Sequence, residues 1–221
     1  MKTLRVVEIF ETLQGEGYHA GTSAIFLRLA GCNLWSGDDE DRERDAQRHN
    51  VACPRFCDTD FRKGVRTTLE EIKNCITQLA GTRMPMLVIT GGEPTLQLQD
   101  CEEMLPLPVS MIALETNGTT QIPSWIDWVC VSPKVLPDRL VVTHMDELKV
   151  VVPDYDPRVY ESAILDGMLF PSHCFVSPRA DPTSVGKSLL NTNNAQRAAR
   201  FCIDHPMWRL SIQQHKVLGL P

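Results

Sequence analysis

Short apolar runs rich in β-branched residues recur along the chain and alternate with segments of helical pattern. Several runs, such as 86–90 (MLVIT) and 128–132 (WVCVS), are apolar at nearly all consecutive positions, which is typical of parallel strands covered on both faces. The pattern predicts eight strands, at 4–10, 23–31, 86–90, 109–116, 128–132, 147–152, 174–177 and 208–213.

Four segments between these runs have apolar residues at helical spacing. The clearest is 68–80, where a threonine precedes a stripe of leucine and isoleucine and can cap the helix. The others are 95–105, 157–164 and 189–205. Strands that alternate with helices indicate an α/β fold with a parallel sheet and outer helices. Because 221 residues are few for a closed eight-unit barrel, the pattern favours a partial β/α barrel or a doubly wound sheet.

Composition excludes several classes of protein. One domain over 1–221 is expected, since 43% of the residues are hydrophobic and can build one sizeable core.

The formal charge of −6 argues against a broad basic face for nucleic acid. The chain has neither an apolar run long enough for a membrane span nor the pattern of a signal peptide at its start, so we expect no membrane partner and a cytoplasmic location.

A charged segment interrupts this pattern at about 34–52. In its centre, 36–50 (SGDDEDRERDAQRHN), nine of fifteen residues are Asp, Glu or Arg and there is no large apolar face. Mixed charges of this kind favour a solvated helix or loop with local ion pairs. We therefore interpret the segment as an insertion on the surface, which lengthens a loop without moving its two ends.

The cysteines divide into two groups. Five of the eight lie inside apolar helix or strand patterns and are expected to be small buried residues. The other three, Cys32, Cys53 and Cys57, are clustered in sequence typical of turns. Such a trio can hold structural zinc, although zinc usually takes four ligands, or a [4Fe–4S] cluster with one iron open to an exogenous ligand. The spacing alone does not decide between them.

A second motif favours the iron–sulfur alternative. The apolar strand at 86–90 runs into Gly91, Gly92 and Glu93, followed by proline. Two glycines let the backbone approach a ligand closely, and a carboxylate at a strand end can accept hydrogen bonds from an ammonium group. Ligand loops of this kind lie at the carboxyl ends of parallel strands.

Together, the cysteine trio and the TGGEP segment resemble the radical S-adenosylmethionine (SAM) superfamily. The superfamily spacing is CxxxCxxC, whereas this chain has twenty residues in the first gap and three in the second. Further motifs in matching order resemble the 7-carboxy-7-deazaguanine synthase family: ETLQGEG at 11–17, GCNL at 31–34, CDT at 57–59, TGGEP at 90–94, ETNGT at 115–119, SPK at 132–134 and the ending at 205–221. The resemblance covers nearly the whole chain.

This resemblance implies a reaction and a set of cofactors. The family converts 6-carboxy-5,6,7,8-tetrahydropterin to 7-carboxy-7-deazaguanine with loss of ammonia, as a carbon–nitrogen lyase in queuosine biosynthesis. A reduced [4Fe–4S] cluster cleaves SAM to a 5′-deoxyadenosyl radical, which takes a hydrogen from C6 of the pterin, and Mg²⁺ assists. A homodimer and an electron donor such as flavodoxin are also implied.

The resemblance assigns site residues by matching positions. Cys32, Cys53 and Cys57 are expected to ligate the cluster, and Thr59 the Mg²⁺. The residues expected to bind SAM are Phe56, Gly91, Gly92, Glu93, Ser132, Pro133 and Lys134. Those expected to bind the pterin are Leu13, Gln14, Gly15, Glu16, Arg28, Thr90, His215 and Pro221. Arg28 would pair with the substrate carboxylate, His215 is placed in a last strand-like segment, and Pro221 would contribute its terminal carboxylate.

Two other functions stay open at this point. One is a different radical SAM enzyme, such as a glycyl-radical activase, which would act on a protein. The other is a binding module that zinc stabilises and that has no catalytic activity.

Overall fold

The computed structural model describes residues 2–180 and 192–221. Those residues contain nine strands and five α-helices, with short 3-10 turns between them. In chain order they are β1 Thr3–Leu13, β2 Ser23–Leu29, α1 Arg42–His49, β3 Val65–Thr68, α2 Leu69–Ala80, β4 Met86–Gly91, β5 Ile112–Thr116, β6 Trp128–Val131, β7 His144–Val152, α3 Pro157–Leu165, β8 Phe170–Pro178, α4 Thr192–Asp204, β9 Trp208–Leu210 and α5 Gln214–Leu218. Each of the eight predicted strands is present, and β3 is additional.

The chain forms two compact units. The first contains the residues up to Thr12 with Ser23–Thr116 and Thr120–Val129; the second contains Leu13–Thr22, Asn117–Thr119 and Cys130–Pro221. In the part of the chain described above, no helix is both long and apolar enough to cross a membrane.

In the first unit the strand order is β3-β1-β2-β4-β5. The central strands β2, β4 and β5 are parallel, and β3 pairs with β1 antiparallel. The helix α2 begins with a capping box, in which Thr68 and Glu71 satisfy each other's backbone N–H groups. Its buried Ile72 and Ile76 lie in the same hydrophobic cluster as Leu87 and Ile89 of β4. The apolar residues that predicted α2 are therefore the ones that pack it against the sheet.

In the second unit the order β6-β7-β8-β9 is parallel throughout. Strand β7 is buried on both faces along most of its length, which is typical of a strand inside a parallel sheet. The helix α3 contributes the buried ring of Tyr160, whose hydroxyl donates to the carbonyl of Val135 at 2.7 Å. Burial raises the pKa of that phenol, so the hydroxyl stays a donor.

The predicted helix at 95–105 is wrong. Two 3-10 turns, Pro94–Leu96 and Glu102–Met104, stand in its place, and Asp100 between them has a left-handed backbone with φ of 55°. The side chain of Gln97 accepts from the N–H of Arg5 at 2.7 Å and donates to the carbonyl of Ala30 at 2.8 Å. Contacts with distant backbone therefore override the local helical spacing in this segment.

Candidate functional site

The loop after β4 packs directly on the turn that precedes Cys32. The N–H of Gly92 donates to the carbonyl of Leu29 at 3.3 Å, and the N–H of Glu93 donates to that of Gly31 at 2.8 Å. A Cβ atom on Gly91 would lie 2.1 Å from the oxygen of Leu29, and one on Gly92 would lie 2.2 Å from the oxygen of Gly31. Both glycines are therefore required by this close approach of the two backbones.

The carboxylate of Glu93 is fully buried and held by hydroxyl groups. Its Oε1 atom accepts from the hydroxyl of Thr95 at 2.6 Å, from the N–H of Thr95 at 3.2 Å and from the hydroxyl of Thr116 at 2.8 Å. The hydroxyl of Thr95 also bonds to that of Thr120. Three donors on one oxygen fix the plane of the carboxylate, so a ligand cation would meet an oriented acceptor.

The sequence motifs did not predict Thr95 and Thr116 as supports for Glu93. The signal for Thr116 was available, because it is a hydroxyl residue at the carboxyl end of β5, beside the end of β4. Side chains at the ends of adjacent parallel strands lie at the same edge of a sheet.

The thiol of Cys32 belongs to the same group of residues. Burial raises the pKa of Cys32, and the negative charges of Glu93 and Cys57 raise it further, while the N–H groups of Leu34 and Trp35 act in the opposite direction. The N–H of Leu34 lies 3.4 Å from its sulfur. Glu93 and Cys57 are each near enough to Cys32 to affect its charge, and a cation bound to Cys32 would stabilise its thiolate.

The extra residue between Cys53 and Cys57 is accommodated in one tight turn. A 3-10 helix spans Cys53–Arg55, and the carbonyl of Cys53 accepts from the N–H of Phe56 at 3.2 Å and from that of Cys57 at 2.9 Å. The chain thus reverses within the five residues, which keeps the backbones of the two cysteines together. None of the eight cysteines, all of them in the described ranges, forms a disulfide.

In residues 2–180 and 192–221, no three side chains of His, Cys, Asp or Glu come close enough to one another to hold a metal ion. The cluster assignment of Cys32, Cys53 and Cys57 therefore stays a prediction. Phe56 and Thr59, both partly buried, flank Cys57, and their assigned contacts with adenine and Mg²⁺ also stay predictions.

Two candidate substrate residues are cross-strand partners in the first unit. Arg28 on β2 stands in register with Thr90 on β4. The Nε atom of Arg28 donates to Glu8 at 2.6 Å, and the hydroxyl of Thr90 donates to Glu115 at 3.0 Å. Glu8 therefore occupies the Nε atom of Arg28, so a substrate carboxylate would bind to the Nη atoms.

In the second unit, the turn after β1 packs against the end of the chain. A Cβ atom on Gly15 would lie 1.9 Å from Nδ1 of His215, and the N–H of Gln214 donates to the carbonyl of Gly15 at 3.0 Å. The strand-like placement of His215 is wrong, because β9 ends at Leu210 and His215 lies on the short helix α5. His215 nevertheless lies beside Gly15, so His215 and the turn could contact the same substrate.

Glu16 forms a buried ion pair with Lys149 of β7. The exposed fractions of the two side chains are 13% and 7%. Burial by itself raises the pKa of Glu16, but the charge and hydrogen bond of Lys149, helped by Gln213 and His215, lower it to about 2. Glu16 is therefore ionised at neutral pH.

Lys149 was likewise not predicted as a site residue. Its signal was a lysine directly before the apolar residues 150–152 of strand β7, since a buried lysine requires a partner. The identity of that partner, 133 positions away, could not be read from the pattern.

The remaining predicted residues of the second unit are placed as follows. Gln14 is buried and its Oε1 atom accepts from the N–H of Glu16 at 3.1 Å, while Leu13 at the end of β1 is partly buried. The ammonium of Lys134 donates to the hydroxyl of Ser132 at 2.6 Å and to its carbonyl at 3.0 Å, with Pro133 buried between them. Pro221 is exposed after α5.

Each unit thus brings together part of the predicted set. In the first unit these residues are Arg28, Cys32, Cys53, Cys57, Thr90, Gly91, Gly92 and Glu93. In the second unit they are Gln14, Gly15, Glu16 and His215.

Curated relatives and a solved structure are similar to this chain over nearly its whole length. No family model matches the sequence. The 7-carboxy-7-deazaguanine synthase of Caulobacter vibrioides is 41% identical over 99% of this chain and 100% of its own length, and that of Burkholderia multivorans is 42% identical over the same shares. The crystal structure of QueE from Escherichia coli matches with a TM-score of 0.63 and 26% identity, covering 96% of this chain and 95% of that one. This match confirms the predicted fold class, the α/β partial barrel of the radical SAM type.

Proposed function

The chain belongs to the 7-carboxy-7-deazaguanine synthase family, and on that premise we propose the reaction, the cofactors and the residue roles that follow. The protein is a lyase that makes 7-carboxy-7-deazaguanine from 6-carboxy-5,6,7,8-tetrahydropterin with loss of ammonia, in queuosine biosynthesis. The observation that carries this function is the full-length similarity to synthases of the same name. The alternatives of an activase and a non-catalytic zinc module have no comparable support.

Cys32, Cys53 and Cys57 would hold a [4Fe–4S] cluster. The donor set fits, because burial makes the thiolate of Cys32 unfavourable unless a cation binds, and Cys57 and Glu93 add negative charge nearby. When bound, the cluster and SAM supply the radical that removes hydrogen from the pterin.

Glu93 would accept hydrogen bonds from the ammonium group of SAM. Thr95 and Thr116 orient its carboxylate, and the close backbone approach at Gly91 and Gly92 leaves no side chain between the loop and the cysteine turn. Phe56 would contact adenine, while Ser132, Pro133 and Lys134 would contact the ribose or the carboxylate.

The pterin would be recognised at two chemically different edges. Glu16, ionised because of Lys149, would accept hydrogen bonds from the guanidine-like edge, with Gln14 as a neutral partner beside it. Arg28 would pair with the 6-carboxylate. Thr59 would ligate Mg²⁺, and Leu13, Gly15, Thr90, His215 and Pro221 would complete the contacts. The electron donor would be a flavodoxin-like protein, and the enzyme would act as a homodimer.

Anaerobic turnover tests the function directly. We expect purified protein with about four irons per chain, the number in one [4Fe–4S] cluster, to convert carboxytetrahydropterin to the deazaguanine product when SAM and a reductant are supplied. Omission of SAM is the control. Colourless protein that carries zinc, or a cluster-loaded protein without product, would overturn the assignment.

Replacing Lys149 with methionine leaves the carboxyl of Glu16 buried without its cation. We expect the pKa of Glu16 to rise from about 2, the free energy of unfolding at pH 7 to fall by about 3–5 kcal/mol, and the KM for the pterin to rise. In the wild type, the stability from the lowered pKa is complete above about pH 4.5 and is lost as the pH falls toward 2. In the variant that contribution is absent.

Denaturant unfolding measured between pH 7 and pH 2 checks this prediction. Lys73→Met is the matched control, because Lys73 lies partly exposed on α2. If Lys149→Met unfolds like Lys73→Met at every pH, the ion pair contributes nothing to stability.

A further inference from the structure

One face of α1, in the charged insertion, is turned toward the protein. Asp45 and Ala46 are buried although they lie in the most polar stretch of the chain. The carboxylate of Asp45 accepts from the N–H of Ser36 at 2.8 Å, and the carbonyl of Ala46 accepts from the N–H of Val51 at 3.0 Å. Both ends of the insertion are therefore fastened to α1, so the helix is held in place rather than suspended in solvent.

Arg42, at the start of α1, reaches from this helix to the cysteine turn. Its Nη1 atom donates to the carbonyl of Pro54, and Nη1 and Nη2 both donate to the carbonyl of Cys57 at 3.2 Å. Its Nε atom donates to Asp39 at 2.8 Å. A single guanidinium thus fixes two carbonyls of the segment that carries Cys53 and Cys57.

The same guanidinium contacts the other side of the long cysteine gap. Its carbon lies 4.2 Å from the ring centre of Trp35, three residues after Cys32. Trp35 is buried, and its ring meets that of Phe61 edge-on at 5.3 Å. Stacking on an aromatic face combined with planar donation is a geometry that arginine can provide and lysine cannot.

A second ion pair between α1 and the turn lies farther out. The guanidinium of Arg55 donates to the carboxylate of Glu43 at 2.8 Å and 2.9 Å, but both side chains are largely exposed. Water screens this pair, so it contributes little to the position of the turn. The less exposed Arg42 is therefore the stronger link between insertion and turn.

We propose that Arg42 is a positioning residue for the cluster ligands. It joins the Cys32 side of the gap to the Cys53–Cys57 turn and compensates for the unusual spacing of both gaps. This inference rests on the proposed function, in which the three cysteines hold the cluster. Arg42 touches neither substrate nor SAM in this proposal and acts only through the backbone of the turn.

The test compares Arg42→Gln with Arg48→Gln, which removes the same charge from an exposed position of the same helix. Both proteins are reconstituted anaerobically, and iron content, the EPR spectrum of the reduced cluster and the rate of iron loss to a chelator are measured. We expect iron loss to be about 10–100-fold faster in Arg42→Gln, as for loss of groups that support metal ligands. The EPR signal should shift in this variant, and Arg48→Gln should match the wild type.

Arg42→Lys separates charge from geometry. It keeps the positive charge but loses the planar fork and the stacking on Trp35, so we expect it to lose iron nearly as fast as Arg42→Gln. Amide hydrogen exchange gives a readout without the cluster: in both Arg42 variants, exchange should accelerate at 51–58 and stay unchanged in α2. The lysine variant also keeps the test valid if Arg42→Gln fails to fold.

The outcomes distinguish this inference from the function it rests on. If both Arg42 variants lose iron no faster than Arg48→Gln and show the same amide exchange at 51–58, Arg42 is not a positioning residue. The proposed function stands in that case. If the lysine variant behaves as wild type, charge alone suffices and the geometric argument is overturned. If wild-type protein takes up no cluster, the proposed function fails, and hydrogen exchange at 51–58 then decides whether Arg42 holds the turn.

Discussion

Cys53→Ala is expected to lose the [4Fe–4S] cluster and to lower turnover to background, a loss of at least about 10⁶-fold because the whole rate enhancement depends on the cofactor. Cys53 is the most buried of the three candidate ligands, and its carbonyl organises the turn that carries Cys57. Alanine preserves that backbone hydrogen bonding and removes only the thiol. Iron and sulfide analysis, with the visible absorbance of anaerobically reconstituted protein, measures the loss.

Cys75→Ala is the matched control. Cys75 lies partly exposed on α2 in the same unit, so its replacement should leave iron content and turnover unchanged. A Cys53→Ala protein that retains four irons per chain, the content of one [4Fe–4S] cluster, would show that Cys53 is not a ligand. The third thiol would then have to be sought among the other cysteines.

Glu93→Gln is expected to raise the KM for SAM by about 30-fold or more, the usual loss when one partner of a buried charged pair is removed. Glutamine has the shape of glutamate, and its amide oxygen can still accept from Thr95 and Thr116. The loop should therefore stay folded while its negative charge disappears. Steady-state kinetics with SAM as the varied substrate, together with equilibrium binding of SAM, separates affinity from chemistry.

Two further variants bracket this result. Glu102→Gln removes a carboxylate from an exposed position and should leave the KM for SAM unchanged. Thr116→Val removes one hydrogen bond to Glu93 and should raise this KM by about 10-fold, since a hydrogen bond to a charged group contributes roughly 1.5–3 kcal/mol. Unchanged SAM binding in Glu93→Gln would remove Glu93 from the SAM site.

Local patterns in the sequence were sufficient for most of the fold. The strand β7 and the helix α2 were predicted because apolar periodicity and a capping threonine are local properties. The turns around Glu16 and Glu93 were predicted as ligand-binding segments from short motifs that contain glycine. In the structure, Gly15 packs against His215, and Gly91 and Gly92 pack against the backbone before Cys32. The alternation of strand and helix predicted an α/β fold with a parallel sheet and left a partial barrel or a doubly wound sheet open, and the family resemblance implied the partial barrel.

The tertiary structure decided how those segments are held. In the sequence, Lys149 was one lysine in a predicted strand, and only the fold pairs it with Glu16. Arg42 was one of nine charged residues in the centre of the insertion, and only the fold places it against the carbonyls of Pro54 and Cys57. Similar long-range contacts prevent the helix that the local pattern predicted at 95–105. The physical reason is the same in each case, because an ion pair or a hydrogen bond between distant residues depends on their separation in space, which periodicity along the chain does not encode.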